Sequence, residues 1–339
     1  MHTRLPMRQP VRALMAWALT LGLASAWAAP TGWVYTANER DNSISEVQLD
    51  NGQVRTIKLD IAPHNVQIAA DGASLLAVGM SAHAAHHGPG SQGQLLILRP
   101  AALGAGASSI AAGEHPAHVV TDANAERAFV SDSAANLVRV IDLKSSAEIG
   151  QIATDRYPHG LRLSPDGQTL YVANMKGGTV SVIDVPGLKE TKRIAVGKGP
   201  VQVGFSADGK QAYVSLSGEN RLGLIDTASQ RLMGKVAVGR TPIQMMAPAG
   251  TREVYVANQG SAKNPADTVS VVDPAKAKVV ATLKTGQGAH GVASSTDGAY
   301  VFVTNIESGT LSVIETATRK VVATHQVGAG PNGVTFLAR

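Results

Sequence analysis

Cysteine is absent from all 339 residues, which excludes disulfides, a thiol-linked lipid anchor and a cysteine-based haem attachment motif. Aromatic residues make up only 4%, and no basic run interleaves with them. The stacking platform and cationic groove of a nucleic-acid binder are therefore both missing. Long apolar runs are scarce as well: Ala13 to Leu23 falls short of the roughly 20 residues that a bilayer-spanning helix needs. That run follows Arg4, Arg8 and Arg12 and precedes Ala26-Trp27-Ala28, the three-part pattern of a cleaved secretory signal. Residues 1–28 are expected to direct export to a periplasm and to be removed, leaving nothing to insert in a membrane. No Arg-Arg pair marks the twin-arginine route. Beyond the signal, 27 basic residues face 25 acidic ones, again not the balance of a nucleic-acid binder.

What is present is one pattern written seven times. Its clearest copy reads Pro158-His159-Gly160-Leu161, then Pro165-Asp166-Gly167, then Tyr171-Val172-Ala173-Asn174, then Val180-Ser181-Val182-Ile183-Asp184. The aromatic or leucine that opens the third segment recurs at Tyr35, Leu76, Phe129, Tyr171, Tyr213, Tyr255 and Phe302, and the unenlarged intervals are 41 or 42 residues. Short apolar runs bounded by Gly, Pro, Asp and Asn read as strands, and a repeat of about 40 residues holding four of them is a propeller blade. The expected fold is all-β, a single seven-bladed β-propeller over residues 29–339 with four antiparallel strands per blade. The repeat enters at a second strand (Trp33-Val34-Tyr35) and leaves on a first strand (Pro331 to Leu337), so one blade is completed by both ends of the domain. Such closure removes open sheet edges.

The segments Tyr171-Val172-Ala173-Asn174, Tyr255-Val256-Ala257-Asn258 and Phe302-Val303-Thr304-Asn305 resemble the motif of the YVTN-repeat, YncE-like seven-bladed propellers. The likeness spans the whole domain and implies the fold. It says little about function, because the motif residues are structural and relatives range from binding proteins to domains allied with metal and quinone enzymes. Leu76-Ala77-Val78-Gly79 and Tyr213-Val214-Ser215-Leu216 depart from the motif.

The histidines are unevenly placed. In a propeller the loop into the innermost strand and the loop between strands two and three share one face. The residues after the loop proline are His64-Asn65, Ala117-His118, His159-Gly160, Val201-Gln202, Ile243-Gln244, His290-Gly291 (after Ala289) and Asn332-Gly333. An enlarged loop in the second copy adds His83, His86 and His87, and His115 precedes Pro116. About three histidines would fall on that face by chance, and eight of the nine beyond the signal do so; His325 lies elsewhere. The candidate metal ligands are His64, His83, His86, His87, His118, His159 and His290, with Gln202, Gln244 and Asn332 lining the channel. Since imidazole suits zinc and copper, these are the expected metals. His118 sits one residue later in its strand than its counterparts, and strand residues alternate sides, so it is expected to serve less well. No carboxylate stands at the start of any inner strand, which argues against calcium and against a lactonase built on inward carboxylates.

Arg156, Lys198 and Arg240 occupy one position in three consecutive Gly-Pro loops and form a basic arc fit for a small anionic ligand or an acidic patch on an envelope protein. Three functions are open: a metal-binding propeller, an envelope scaffold without metal, and a metal-dependent oxidoreductase or hydrolase. The last lacks an acid or base beside the histidines other than Asp132, whose place in the copy is that of a turn asparagine.

Overall fold

The structure is a computed structural model that describes His2 and residues 30–82 and 92–339. The signal segment and His83, His86 and His87 lie outside the described residues. Seven four-stranded antiparallel sheets follow one another. In chain order, blade 1 holds Trp33–Asn38, Ser43–Gln48 and Val54–Lys58 and receives Pro331–Leu337 as its innermost strand. Blades 2 to 7 begin with Ile61–Ile68, Pro116–Thr121, Pro158–Leu163, Pro200–Phe205, Pro242–Met246 and Ala289–Ser294, in that order. Trp33 pairs with Leu337 and Asn38 with Pro331, so the ring closes as the sequence implies. Among the described residues there is no α-helix, only two single 3-10 turns, Glu39–Asp41 and Pro100–Ala102. No helix is long and apolar enough to cross a membrane.

The strands form where they do because each blade is buried on both faces. Along Leu170-Tyr171-Val172-Ala173, side chains alternate: Leu170 and Val172 pack toward blade 3, Tyr171 and Ala173 toward blade 5. Both sets are therefore apolar, which explains the continuous runs. Seven such clusters fill the seven interfaces between blades, and each fully buried large side chain contributes about 1.5–3 kcal/mol. The outermost strands face solvent on most positions, as in Val54–Lys58.

Behind the inner strands, the motif asparagine ties a turn together. Asn174 Nδ2 donates to Thr179 Oγ1 at 3.1 Å and to Ser181 Oγ at 2.9 Å, and Asn38, Asn258 and Asn305 repeat the pair of bonds to Ser43 and Ser45, Thr268 and Ser270, and Thr310 and Ser312. Blade 3 replaces both sides of this bond. Asp132 stands for the asparagine and Arg139 for the serine, and the buried aspartate forms an ion pair at 2.8 Å with the partly buried arginine. Asp132 also accepts from the backbone N–H groups of Glu114 and His115 at 3.1 Å. Fully buried and so engaged, it works in the turn and is not a base for catalysis.

Candidate metal centre

Two loops per blade are stitched together, and this sets the mouth of the channel. A residue at or just past the end of each second strand donates its N–H to the loop ahead of a first strand: Glu39 to Gly330, Ala82 to Asp60, Ser133 to His115, Met175 to Tyr157, Ser217 to Gly199, Gln259 to Thr241 and Ile306 to Gly288. Both loop types therefore share one face.

Each inner strand then carries a bulge. In blade 3, Pro116 faces Asp132 and Val119 faces Val130, so three steps on one strand match two on the other. The same irregularity appears in the other six. A bulge resets the alternation of side chains. For this reason His118 points to the channel with His64 and His159, contrary to the expectation from strict alternation. One ring nitrogen from each of the three lies within 4.8 Å of the others. His290 falls outside that group; its Nδ1 donates to the Asn332 carbonyl at 3.2 Å.

Hydrogen bonds aim two of the rings. His159 Nδ1 lies 3.2 Å from the Val201 carbonyl, so it carries the proton and leaves Nε2 as an acceptor. His64 Nδ1 faces Glu39 Oε1 at 3.2 Å, which again turns Nε2 inward. The two Nε2 atoms meet at 3.2 Å. At that distance one of the two carries a proton and donates it to the other. His118 Nε2 is buried without a hydrogen-bond partner. The Gln202 amide approaches its other nitrogen at 3.5 Å, too far to fix the tautomer.

Glu39 was not legible among the inner-strand positions, because it comes from the 3-10 turn after the second strand of blade 1. Its other oxygen accepts from Asn332 Nδ2 at 2.5 Å. The signal was available elsewhere: of the residues that follow the second-strand motif (Glu39, Met80, Ser133, Met175, Ser217, Gln259 and Ile306), Glu39 alone is acidic.

Charges in this cluster follow from burial and from Glu39. Burial opposes a charge on His64, but the Glu39 charge and hydrogen bond outweigh it and raise its pKa. His118 is held well below the ordinary value by burial and then by repulsion from His159 and His64. The same two causes, burial and His64, push His159 down to about 3 and His290 down to about 4. Glu39 is pushed up by burial, yet the facing His64 charge and the bonds from His64 and Asn332 bring it down overall. His118, His159 and His290 are thereby held toward the neutral form that binds metal, whereas Glu39 holds His64 toward its protonated form.

The remaining expected residues are distributed around this group. Gln202, Gln244 and Asn332 are buried at the mouth, 1%, 3% and 2% exposed. Gln202 Oε1 accepts from the N–H of Val203, and Gln244 Oε1 from that of Val292. Arg156, Lys198 and Arg240 are exposed on the surrounding loops, with no ion pair among the described residues.

Seven closed four-stranded blades define a β-propeller, and its mouth gathers three imidazoles. Residues 97–261 and 186–338 match the YNCE-like beta-propeller family, and the chain belongs to it. No curated protein matches the sequence. Solved structures are similar throughout. A functionally unknown protein from Desulfotomaculum acetoxidans superposes with a TM-score of 0.75 at 17% identity, over 91% of this chain and 99% of that one. The periplasmic gluconolactonase PpgL of Pseudomonas aeruginosa does so with 0.72 at 18%, over 91% and 99%, and Kuenenia stuttgartiensis hydrazine synthase with 0.67 at 19%, over 82% and 90%. Identities this low support the fold alone.

Proposed function

We propose that this protein is an exported, periplasmic propeller that binds a transition metal, zinc or copper, through His64, His118 and His159. The observation that carries this reading is the convergence of three ring nitrogens within 4.8 Å, two of them aimed at each other by Glu39 and by the Val201 carbonyl. A carboxylate behind a histidine ligand fixes its tautomer and raises its basicity, the usual support for a bound metal. Three protein ligands leave a coordination position open, so a further ligand or a substrate oxygen could join the ion.

The test uses untagged protein loaded with zinc or copper and washed, with bound metal measured by elemental mass spectrometry. The His64→Ala/His118→Ala/His159→Ala variant is expected to lose near-stoichiometric metal while His83→Ala/His86→Ala/His87→Ala keeps it. Loss only in the second variant would move the metal to the enlarged loop. Absence of tight metal in the unmutated protein would sink the reading.

A second reading rests on Arg156, Lys198 and Arg240, three exposed cations without a carboxylate partner among the described residues. They suit docking of an acidic patch on an envelope protein. Such a complex, recovered from envelope extract, should weaken steeply with salt.

A further inference from the structure

Deeper in the channel lies a charge that neither reading uses. Arg162 is three residues past His159, and Gln67 three past His64, which is about 10 Å of strand. Arg162 Nη1 donates to Gln67 Oε1 at 3.1 Å. These residues belong to blades 4 and 2, with blade 3 between them, so the bond crosses the channel and the guanidinium lies within it. The corresponding positions of the other inner strands are Val120, Gly204, Met246, Ala293 and Thr335, none of them acidic and two of them small.

A guanidinium carries five N–H donors and matches a carboxylate or phosphate through a two-pronged contact. Here one donor is used and no carboxylate pairs with it among the described residues. Four other arginines, Arg40, Arg139, Arg193 and Arg319, have their pKa raised by a carboxylate partner despite some burial. Arg162 is the exception, lowered by burial alone, and its charge reaches His118. An uncompensated cation in a partly desolvated channel destabilises the fold unless an anion joins it.

We propose that Arg162 anchors a site for a small oxyanion inside the channel, one that takes a carboxylate or a phosphate group through the free edge of the guanidinium. The site stands on its own geometry and does not rest on metal binding. It is tested on chelator-treated protein, so that failure of the metal centre leaves the result intact. Thermal unfolding is followed across titrations of sodium acetate and of inorganic phosphate, each against sodium chloride of equal ionic strength. The unmutated protein should gain stability saturably with one or both anions, the stronger naming the headgroup. Arg162→Gln should weaken the apparent affinity about tenfold or more and, with no anion present, should unfold no earlier than the parent. Gln67→Leu and the Arg156→Gln/Lys198→Gln/Arg240→Gln variant should keep the response. An equal response in Arg162→Gln, no response in the parent, or loss of the response in the loop variant would each overturn the proposal.

Discussion

The turns behind the inner strands and the mouth in front of them are built from the same seven copies, yet they diverge in opposite ways. Four turns carry an identical asparagine bonded to two hydroxyls. At the mouth, the matching position runs His64, Ala117, His159, Val201, Ile243, His290 and Asn332. A position that closes a turn meets the same demand in every blade, whereas a position that faces the channel has no local demand to meet. Its variation, with that of the next residue in each strand, places His64, His118 and His159 together and leaves amides elsewhere on the mouth.

The largest expected effect belongs to the turn that breaks its own rule. Arg139→Ala leaves Asp132 buried without its counter-charge and should destabilise the fold by about 3 kcal/mol, read from urea unfolding. Asp132→Asn combined with Arg139→Ser restores one of the two asparagine–hydroxyl bonds of blades 1, 4, 6 and 7, Leu137 standing where the other hydroxyl would be, and should recover part of that loss. If the double variant is as unstable as the single one, the turns are not interchangeable. On the mouth side, Glu39→Gln should weaken zinc about 10- to 100-fold in chelator competition. Equal zinc affinity would show that the carboxylate does not position His64.

Smaller effects sharpen the contrast. Asn174→Ala removes two bonds from a repeated turn and should cost about 1–2 kcal/mol with no change in metal affinity. Gln244→Ala, on the amide side, should change zinc affinity by less than about threefold, since it offers no ligand to the imidazole group. Acid should separate the regions too. His159 and His290 titrate near 3 and 4 in the folded protein but near 6.5 when unfolded. Between those values the unfolded chain binds more protons, so stability is complete above about pH 6.5 and is lost as pH falls through the folded values. Glu39, lowered in the folded state, adds to this loss at the acid end. His64, with its raised pKa, contributes in the opposite sense, stabilising below the unfolded value and ceasing to do so as pH rises through its own. The metal-free protein should therefore show a falling Tm from pH 6.5 to 4, and His159→Asn together with His290→Asn should flatten the slope.

Blade number and ring closure were legible because each follows from a pattern repeated at fixed spacing. Asp71-Gly72, Asp166-Gly167, Asp208-Gly209 and Asp297-Gly298 were legible for the same reason, and in each the glycine takes a positive φ while the aspartate accepts from the N–H two residues on. The candidate site was legible in part. His64 and His159 could be placed on the channel by their position in the copy. His118 was ranked below them because alternation was carried through the strand start, where the bulge breaks it. Glu39 and Arg162 were not legible for a different reason: neither stands in the Gly-Pro loop or just after its proline. Side-chain reach brings in residues from the turn above and from the strand below.

The bond between Asn332 and Glu39 joins residues 293 positions apart. During synthesis one half of this latch is made early and the other late. The carboxylate that orients His64 is itself held only after Pro331–Leu337 has docked beside Trp33–Asn38. An incomplete or partly opened ring would lack the group that turns His64 toward its neighbours, so the order of assembly is closure first and a primed binding site afterwards.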